Sequence, residues 1–426
     1  MKHLISCALV ASLLVAGCEK SNPSVERQLI QMLDNKDFFR LETRLGKERS
    51  QLSKGIVMYL DAHLQNAFNQ TEQSLQTIDI LLNRYKKSLN DTLLLSLYQL
   101  KFDNLLKQCR YGEAVEALKI SIDTYGHAND SVDAENTQDA YNVFEPLKDF
   151  PPQKMHMTTD VTIPISRNQF GNVIMRVSCG GQSEDFVFDT GATLSVMSES
   201  SARKLKIRVL ESSSKVGNSV GSKVQTKVGI ADSLWIGDLL VENIAFLVLA
   251  DDVFAFPEVN YVIHGIIGFP VMYQMKEIRI CKDESITVPI HPTKCEIHNM
   301  VLDGFSPVIR AETESDTLLF KMDTGAAMSE LSKKYFMAHQ NEVIEKGTKK
   351  VVKRGGAGAV IEPEIYELEN FWMKIGGYEL ILSSLSVETE EYSFSKKYDG
   401  NLGVDALMHF NQLFLNFENM YLTFED

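Results

Sequence analysis

Two stretches decide how this chain is read: FVFDTGATLS, Phe186 to Ser195, and FKMDTGAAMS, Phe320 to Ser329. They agree at the Phe, throughout Asp-Thr-Gly-Ala and at the closing Ser. Asp-Thr-Gly-Ala alone arises by chance in roughly one chain in a hundred of this size, so two copies in similar apolar settings need a common cause. The correspondence continues downstream. Gly265-Ile266-Ile267-Gly268 follows the first turn, with Gly268 79 residues after Asp189; Gly400-Asn401-Leu402-Gly403 follows the second, with Gly403 80 residues after Asp323. The only two tryptophans, Trp235 and Trp372, stand 46 and 49 residues after their aspartates, each shortly before an Ile-Gly pair. One unit therefore occurs twice, its turns 134 residues apart (323 − 189).

Chemistry gives a reason for the duplication. Hydrolysing a peptide bond without a metal or covalent intermediate takes a base to activate water and an acid to protonate or polarise the carbonyl oxygen. Two carboxylates about 3 Å apart cannot both ionise readily, so they share a proton and supply both roles; pepsin is the standard instance. Gly191 and Gly325 allow a tight turn beneath each Asp, so that backbone N–H groups aim at the carboxylates. No cofactor is required by such a pair.

Asp-Thr-Gly followed some eighty residues later by two apolar residues and Gly resembles the pepsin and retropepsin-like aspartic peptidases, over roughly residues 158–426. The resemblance implies one β-rich lobe per turn, two lobes about a pseudo-twofold axis, and Asp189 and Asp323 as catalytic residues, with Thr190 and Thr324 hydrogen-bonding across the axis. Asn401 departs from the apolar pattern and bears on the packing beneath Asp323. Flaps over the substrate are expected between each turn and its apolar-apolar-Gly segment, with Gly217 and Gly221 in one tip and Gly356 and Gly358 in the other. Ala192 and Ala326 replace a hydroxyl that would favour ionisation of the neighbouring carboxylate, so an optimum in mildly acidic to near-neutral conditions is expected.

The rest of the chain sets the context. At 426 residues it exceeds what one core usually organises. A formal charge of -14, with no basic stripe to offset it, argues against a nucleic-acid partner. The opening MKHLISCALVASLLVAGCEK has a basic start and an apolar run shorter than the roughly 20 residues of a membrane span, as in an export signal. Its end, Leu14 to Cys18, resembles the lipobox of bacterial lipoproteins, which implies lipidation at Cys18 and an anchor in the cell envelope, facing the periplasm or the surface. Cys109, Cys179, Cys281 and Cys295 would then meet oxidising conditions; three pairings are open, with Cys281–Cys295 favoured. His291, Cys295 and His298 lack an evident fourth ligand, so no metal site is expected.

From Val25 to Tyr125 apolar residues recur every three or four positions, and a shift of 40 superposes Leu75, Ile78, Ile80, Leu82 and Tyr85 on Val115, Leu118, Ile120, Ile122 and Tyr125. This predicts helical hairpins loosely similar to tetratricopeptide repeats, a candidate surface for a protein partner. Asn69 and Asn90 are expected to start helices, and the polar stretch HANDSVDAENTQDAYN to form a linker. Beyond it period-2 segments dominate. The expected fold is multidomain: residues 1–17 a signal, 18–126 α-helical hairpins, 127–157 a linker, and 158–292 and 293–426 the two lobes of an all-β acid-protease fold. The expected activity is a tethered aspartic endopeptidase acting on peptide or protein substrates; the alternative is a peptide-binding lipoprotein that uses the same cleft without cutting.

Overall fold

The computed structural model describes residues 21–212, 214–217, 223–356, 359–390 and 397–426. Cys18, Gly221 and Gly358 lie outside them. Helices come first: α1 (Pro23–Asp34), α2 (Phe38–Glu48), α3 (Lys54–Ala67), α4 (Thr71–Ile80), α5 (Asp91–Lys107), α6 (Tyr111–Tyr125) and α7 (Ser131–Phe144). Strands begin at Lys154–His156 and dominate from there to the end of the chain. Among the described residues no helix is long and apolar enough to cross a membrane.

Local polar chemistry sets the helix starts. Ser53 and Asn90 each accept a bond from a first-turn N–H, of Ile56 at 3.4 Å and Leu93 at 2.9 Å, satisfying donors that the helix itself cannot. Asn69, expected to cap a helix, does not. It takes the left-handed conformation (φ 59°) that Asn tolerates, closing the turn between α3 and α4, and its side chain reaches the β half instead. The expected linker is corrected as well. Asp130 accepts bonds from the N–H groups of Val132 and Asp133, and most of the polar stretch forms α7. Its polarity reflects an exposed helix face, not an unstructured chain: burial is confined to Val143 and Phe144 at its end.

Successive helices pack as hairpins; of the positions related by the 40-residue shift, Leu75, Ile78, Val115, Leu118 and Tyr125 are buried, Leu82, Tyr85, Ile120 and Ile122 are half-buried, and Ile80 is exposed. Buried Asn104 bridges α5 to its neighbours, donating to Ser74 Oγ at 2.8 Å and accepting from Asn66 at 3.0 Å. The helices are not a detached domain. Phe102, Leu118 and Phe144 belong to one apolar core with Ile163, Phe186 and Phe269 of the β half. Asn69 Nδ2 donates to Phe417 O and accepts at Oδ1 from Tyr273 OH at 2.7 Å. Lys36 pairs with Asp303 at 3.0 Å, and Tyr398 OH donates to the same carboxylate at 2.8 Å.

The β half repeats one topology. Gln182–Phe188 runs parallel to Gly265–Ile267, Phe188 opposite Ile267; Thr317–Met322 runs parallel to Gly400–Leu402, Met322 opposite Leu402. Each short strand is also antiparallel to the segment after its turn, Gly265 opposite Met197 and Gly400 opposite Leu331. The motif's Phe crowds each glycine, joined at Gly400 by Glu330 O, which a Cβ there would meet at 2.3 Å. A Cβ on Gly265 would lie 2.4 Å from Phe186 Cζ, and one on Gly400 2.6 Å from Phe320 Cε1. Each Phe thus covers the strand that supports its own turn. The units do not separate at residue 293, because the C-terminal hairpin Gln412–Asn416 and Tyr421–Glu425 pairs with Glu277–Cys281 of the first, Ile278 opposite Leu415. Cys109, Cys179, Cys281 and Cys295 are all free thiols, and the favoured Cys281–Cys295 pairing is absent. Cys281 Sγ instead accepts from Gln412 Nε2 at 2.7 Å.

Candidate active site

Each Asp-Thr-Gly-Ala turn leaves an inner strand and is tied at once to the short strand beside it. Asp189 N donates to Ile267 O at 3.1 Å and Asp323 N to Leu402 O at 3.0 Å. The residues beneath the aspartates are therefore Ile267 and Leu402, both fully buried. Asn401 corresponds to Ile266, whose side chain points to the other face of its strand, so the departure at 401 leaves the packing under Asp323 intact. The closing serines, to which the sequence assigned no role, complete the tie: Gly268 N donates to Ser195 Oγ at 3.1 Å and Gly403 N to Ser329 Oγ at 2.9 Å. Their presence in both copies was the available signal.

The two turns meet. Thr190 N donates to Thr324 Oγ1 at 3.0 Å and Thr324 N to Thr190 Oγ1 at 3.1 Å. Each hydroxyl passes its proton on to a carbonyl of the opposite unit, Thr190 to Met322 O at 3.1 Å and Thr324 to Phe188 O at 2.8 Å. Both threonines are fully buried, so each bond is shielded from water and its loss would leave an unsatisfied polar group. The exchange fixes the spacing of the aspartates. A Cβ on Gly191 would stand 2.7 Å from Asp323 Cγ, and one on Gly325 2.5 Å from Asp189 Cγ, so only glycine admits the opposing carboxyl.

Asp189 and Asp323 thus approach one another across the axis, each carboxyl against the glycine of the opposing turn. Gly191 N donates to Asp189 Oδ1 at 2.7 Å; Gly325 N and Ala326 N donate to Asp323 Oδ1 at 2.9 and 3.1 Å. Burial pushes the Asp189 carboxyl well above the usual carboxylate range, and the charge of Asp323 and the hydrogen bond to it push the same way. The backbone N–H groups of Gly191 and Ala192 oppose this less strongly. A pair holding one proton between its two members can present an acid and a base to the same molecule.

Residues 175–271 match the family model described as aspartyl protease. No curated protein matches the chain. The matched segment begins within the strand Val173–Cys179, includes the first turn and Gly268, and supports an aspartyl protease domain with hydrolase activity toward peptides. The second turn lies beyond it and is linked to the first by the threonine exchange and the adjacent carboxyls.

Of the expected flap residues, Gly217 ends the strand Ser214–Gly217 opposite Lys223, and Gly356 ends Arg354–Gly356 opposite Ala359; both close hairpins. The first hairpin is braced from outside the β half. α7 packs against its outer strand, and Lys223 pairs with Glu135 at 2.8 Å and Asp139 at 2.6 Å. Asn172 is a further residue at the site that the sequence did not reveal. It occurs in one unit only, and so carries no repeat signal.

Proposed function

We propose that the chain is an aspartic endopeptidase of the double-lobed, retropepsin-like kind, with both lobes in one polypeptide. The reading rests on one observation: two equivalent turns exchange threonine hydrogen bonds and bring the carboxyls of Asp189 and Asp323 together. In the proposed reaction the carboxylate of the pair takes a proton from water as the water oxygen bonds to the peptide carbonyl carbon. The protonated partner donates to the carbonyl oxygen. Collapse of the resulting diol breaks the C–N bond, the nitrogen takes up a proton, and an acid and an amine leave. No acyl-enzyme forms, and the dyad regains its single proton. The two hairpins ending at Gly217 and Gly356 would cover the substrate.

In the same proposal Cys18 carries a lipid that tethers the enzyme to a bacterial membrane, in the periplasm or at the surface. The helical hairpins, tetratricopeptide-like in arrangement, would serve a protein partner or present the substrate. Incubating the purified protein with a mixed peptide library, with and without pepstatin, tests the enzymatic reading. New peptide termini that pepstatin suppresses are expected. Peptides retained but uncut would replace the peptidase with a peptide clamp.

A further inference from the structure

Asn172 stands in the turn between the strands Val161–Arg167 and Val173–Cys179 of the first unit, 6% exposed. Its side chain crosses to the second unit. Nδ2 donates to Thr324 O at 3.1 Å and to Gly325 O at 2.9 Å. Because carbonyl oxygens only accept, the amide nitrogen must be the atom facing them, and Oδ1 correspondingly accepts from Asn168 Nδ2 at 3.1 Å. Asn168 also accepts from Asn172 N at 2.9 Å and donates to Tyr261 OH at 2.8 Å, which fixes the turn.

The two carbonyls belong to the peptide groups whose N–H ends, Gly325 N and Ala326 N, donate to Asp323 Oδ1. One side-chain amide therefore begins two short relays that both end on the Asp323 carboxyl. Hydrogen bonds in series polarise one another, so a donor on the carbonyl oxygen makes the N–H of the same peptide a stronger donor. A stronger donor favours the charged form of the carboxyl that accepts it.

The first turn has no such relay. At the 134-residue offset that relates Asp189 to Asp323, Asn172 corresponds to Ser306. Among the described residues, no side chain donates to the carbonyls of Thr190 or Gly191. The axis that makes the turns equivalent is thus broken at this point. Asp189 faces Asp323 across the axis; Asp405 follows Val404, whose N–H donates to Ala326 O, and is engaged by Ser329, whose N–H and hydroxyl donate to it at 2.8 and 2.7 Å.

We infer that Asn172 is a positioning residue that assigns the two roles within the pair: Asp323 is the resting carboxylate that takes the proton from water, and Asp189 carries the shared proton and donates it to the substrate carbonyl. The inference rests on the aspartic-peptidase reading. The upward displacement of Asp189, caused first by burial and then by Asp323, agrees with the assignment.

The test is kcat and KM across pH for the wild type, Asn172→Ala and Asn172→Asp, on a peptide the wild type cuts, with melting temperatures alongside. For Asn172→Ala, kcat should fall about 10- to 100-fold with KM changed less than about threefold, a modest share of what general acid–base catalysis supplies. The acid limb of its pH profile should move up by about half a pH unit or more, because the carboxylate has lost support. Asn172→Asp keeps the size of the side chain but turns an ionised oxygen toward the carbonyls. It should lose more at neutral pH and recover toward acid pH, where the introduced carboxyl is protonated and donates again. An acid limb unmoved in both variants overturns the assignment, even if kcat falls. Should the Ala variant fail to fold, the isosteric Asp variant decides by the same criterion. A wild type that cuts nothing removes the peptidase reading, and this inference with it.

Discussion

At the scale of single residues, the proposed mechanism makes the pair Asp189 and Asp323 set the pH dependence. Burial and a like-charged neighbour hold the Asp189 proton well above the usual carboxylate range, so the singly protonated pair persists upward in pH. The sign follows. Activity should fall on the acid side as the second carboxyl is protonated, and on the alkaline side as Asp189 loses its proton. Ala192 and Ala326 supply no hydroxyl to favour ionisation, so the bell should peak in mildly acidic to near-neutral conditions. A pH–rate profile peaking below about pH 3 would refute this. The aspartates, threonines and glycines of the turns were legible because the same chemistry is spelled twice. Asn172 was not. It is a single residue reaching a turn 152 and 153 positions away, and only the folded chain brings the two together.

At the scale of elements, the threonine exchange carries the alignment of the two turns. Removing one hydroxyl leaves a buried N–H and a buried carbonyl without partners. Thr190→Val should therefore cost about 1–3 kcal/mol of stability, read as a lower denaturant midpoint with unchanged slope, and should lower kcat as the carboxyls lose register. Stability and rate both equal to wild type would show the exchange to be incidental. Period-2 and helical patterning revealed the division into a helical and a β half, and the repeat revealed the matching strands beneath each turn. α7 was hidden by its composition. A helix that buries little beyond Val143 and Phe144 writes a polar sequence, and its partners, Lys223 and the first hairpin, lie some eighty residues downstream. Asn69 misled for a related reason. A residue suited to capping is equally suited to a left-handed turn, and the choice was made by contacts with Phe417 and Tyr273.

At the scale of the whole molecule, the helical half is bolted to the β half through Lys36, Asp303 and Tyr398. Burial works against the charged form of Asp303, but Lys36 and the Tyr398 hydroxyl outweigh it and hold its carboxyl below the usual range. A depressed carboxyl contributes stability above the ordinary carboxylate pKa, and that contribution is lost as pH falls through the folded value. Asp303→Asn should lower the melting temperature at pH 7, by the equivalent of about 1–3 kcal/mol, and the gap to wild type should close in strong acid. A gap independent of pH would show that the ion pair is not what joins the halves. The fused core and the shared C-terminal hairpin were not legible, because sequence patterning reports which face of an element is apolar but not what covers it. The proposed dyad belongs to this scale too, since each unit supplies one of its two aspartates. On a peptide the wild type cuts, Asp189→Asn and Asp323→Asn, measured separately, should each lose at least about a thousandfold in kcat/KM while melting no lower than the wild type. Retention of the wild-type rate by either variant would contradict the two-aspartate mechanism.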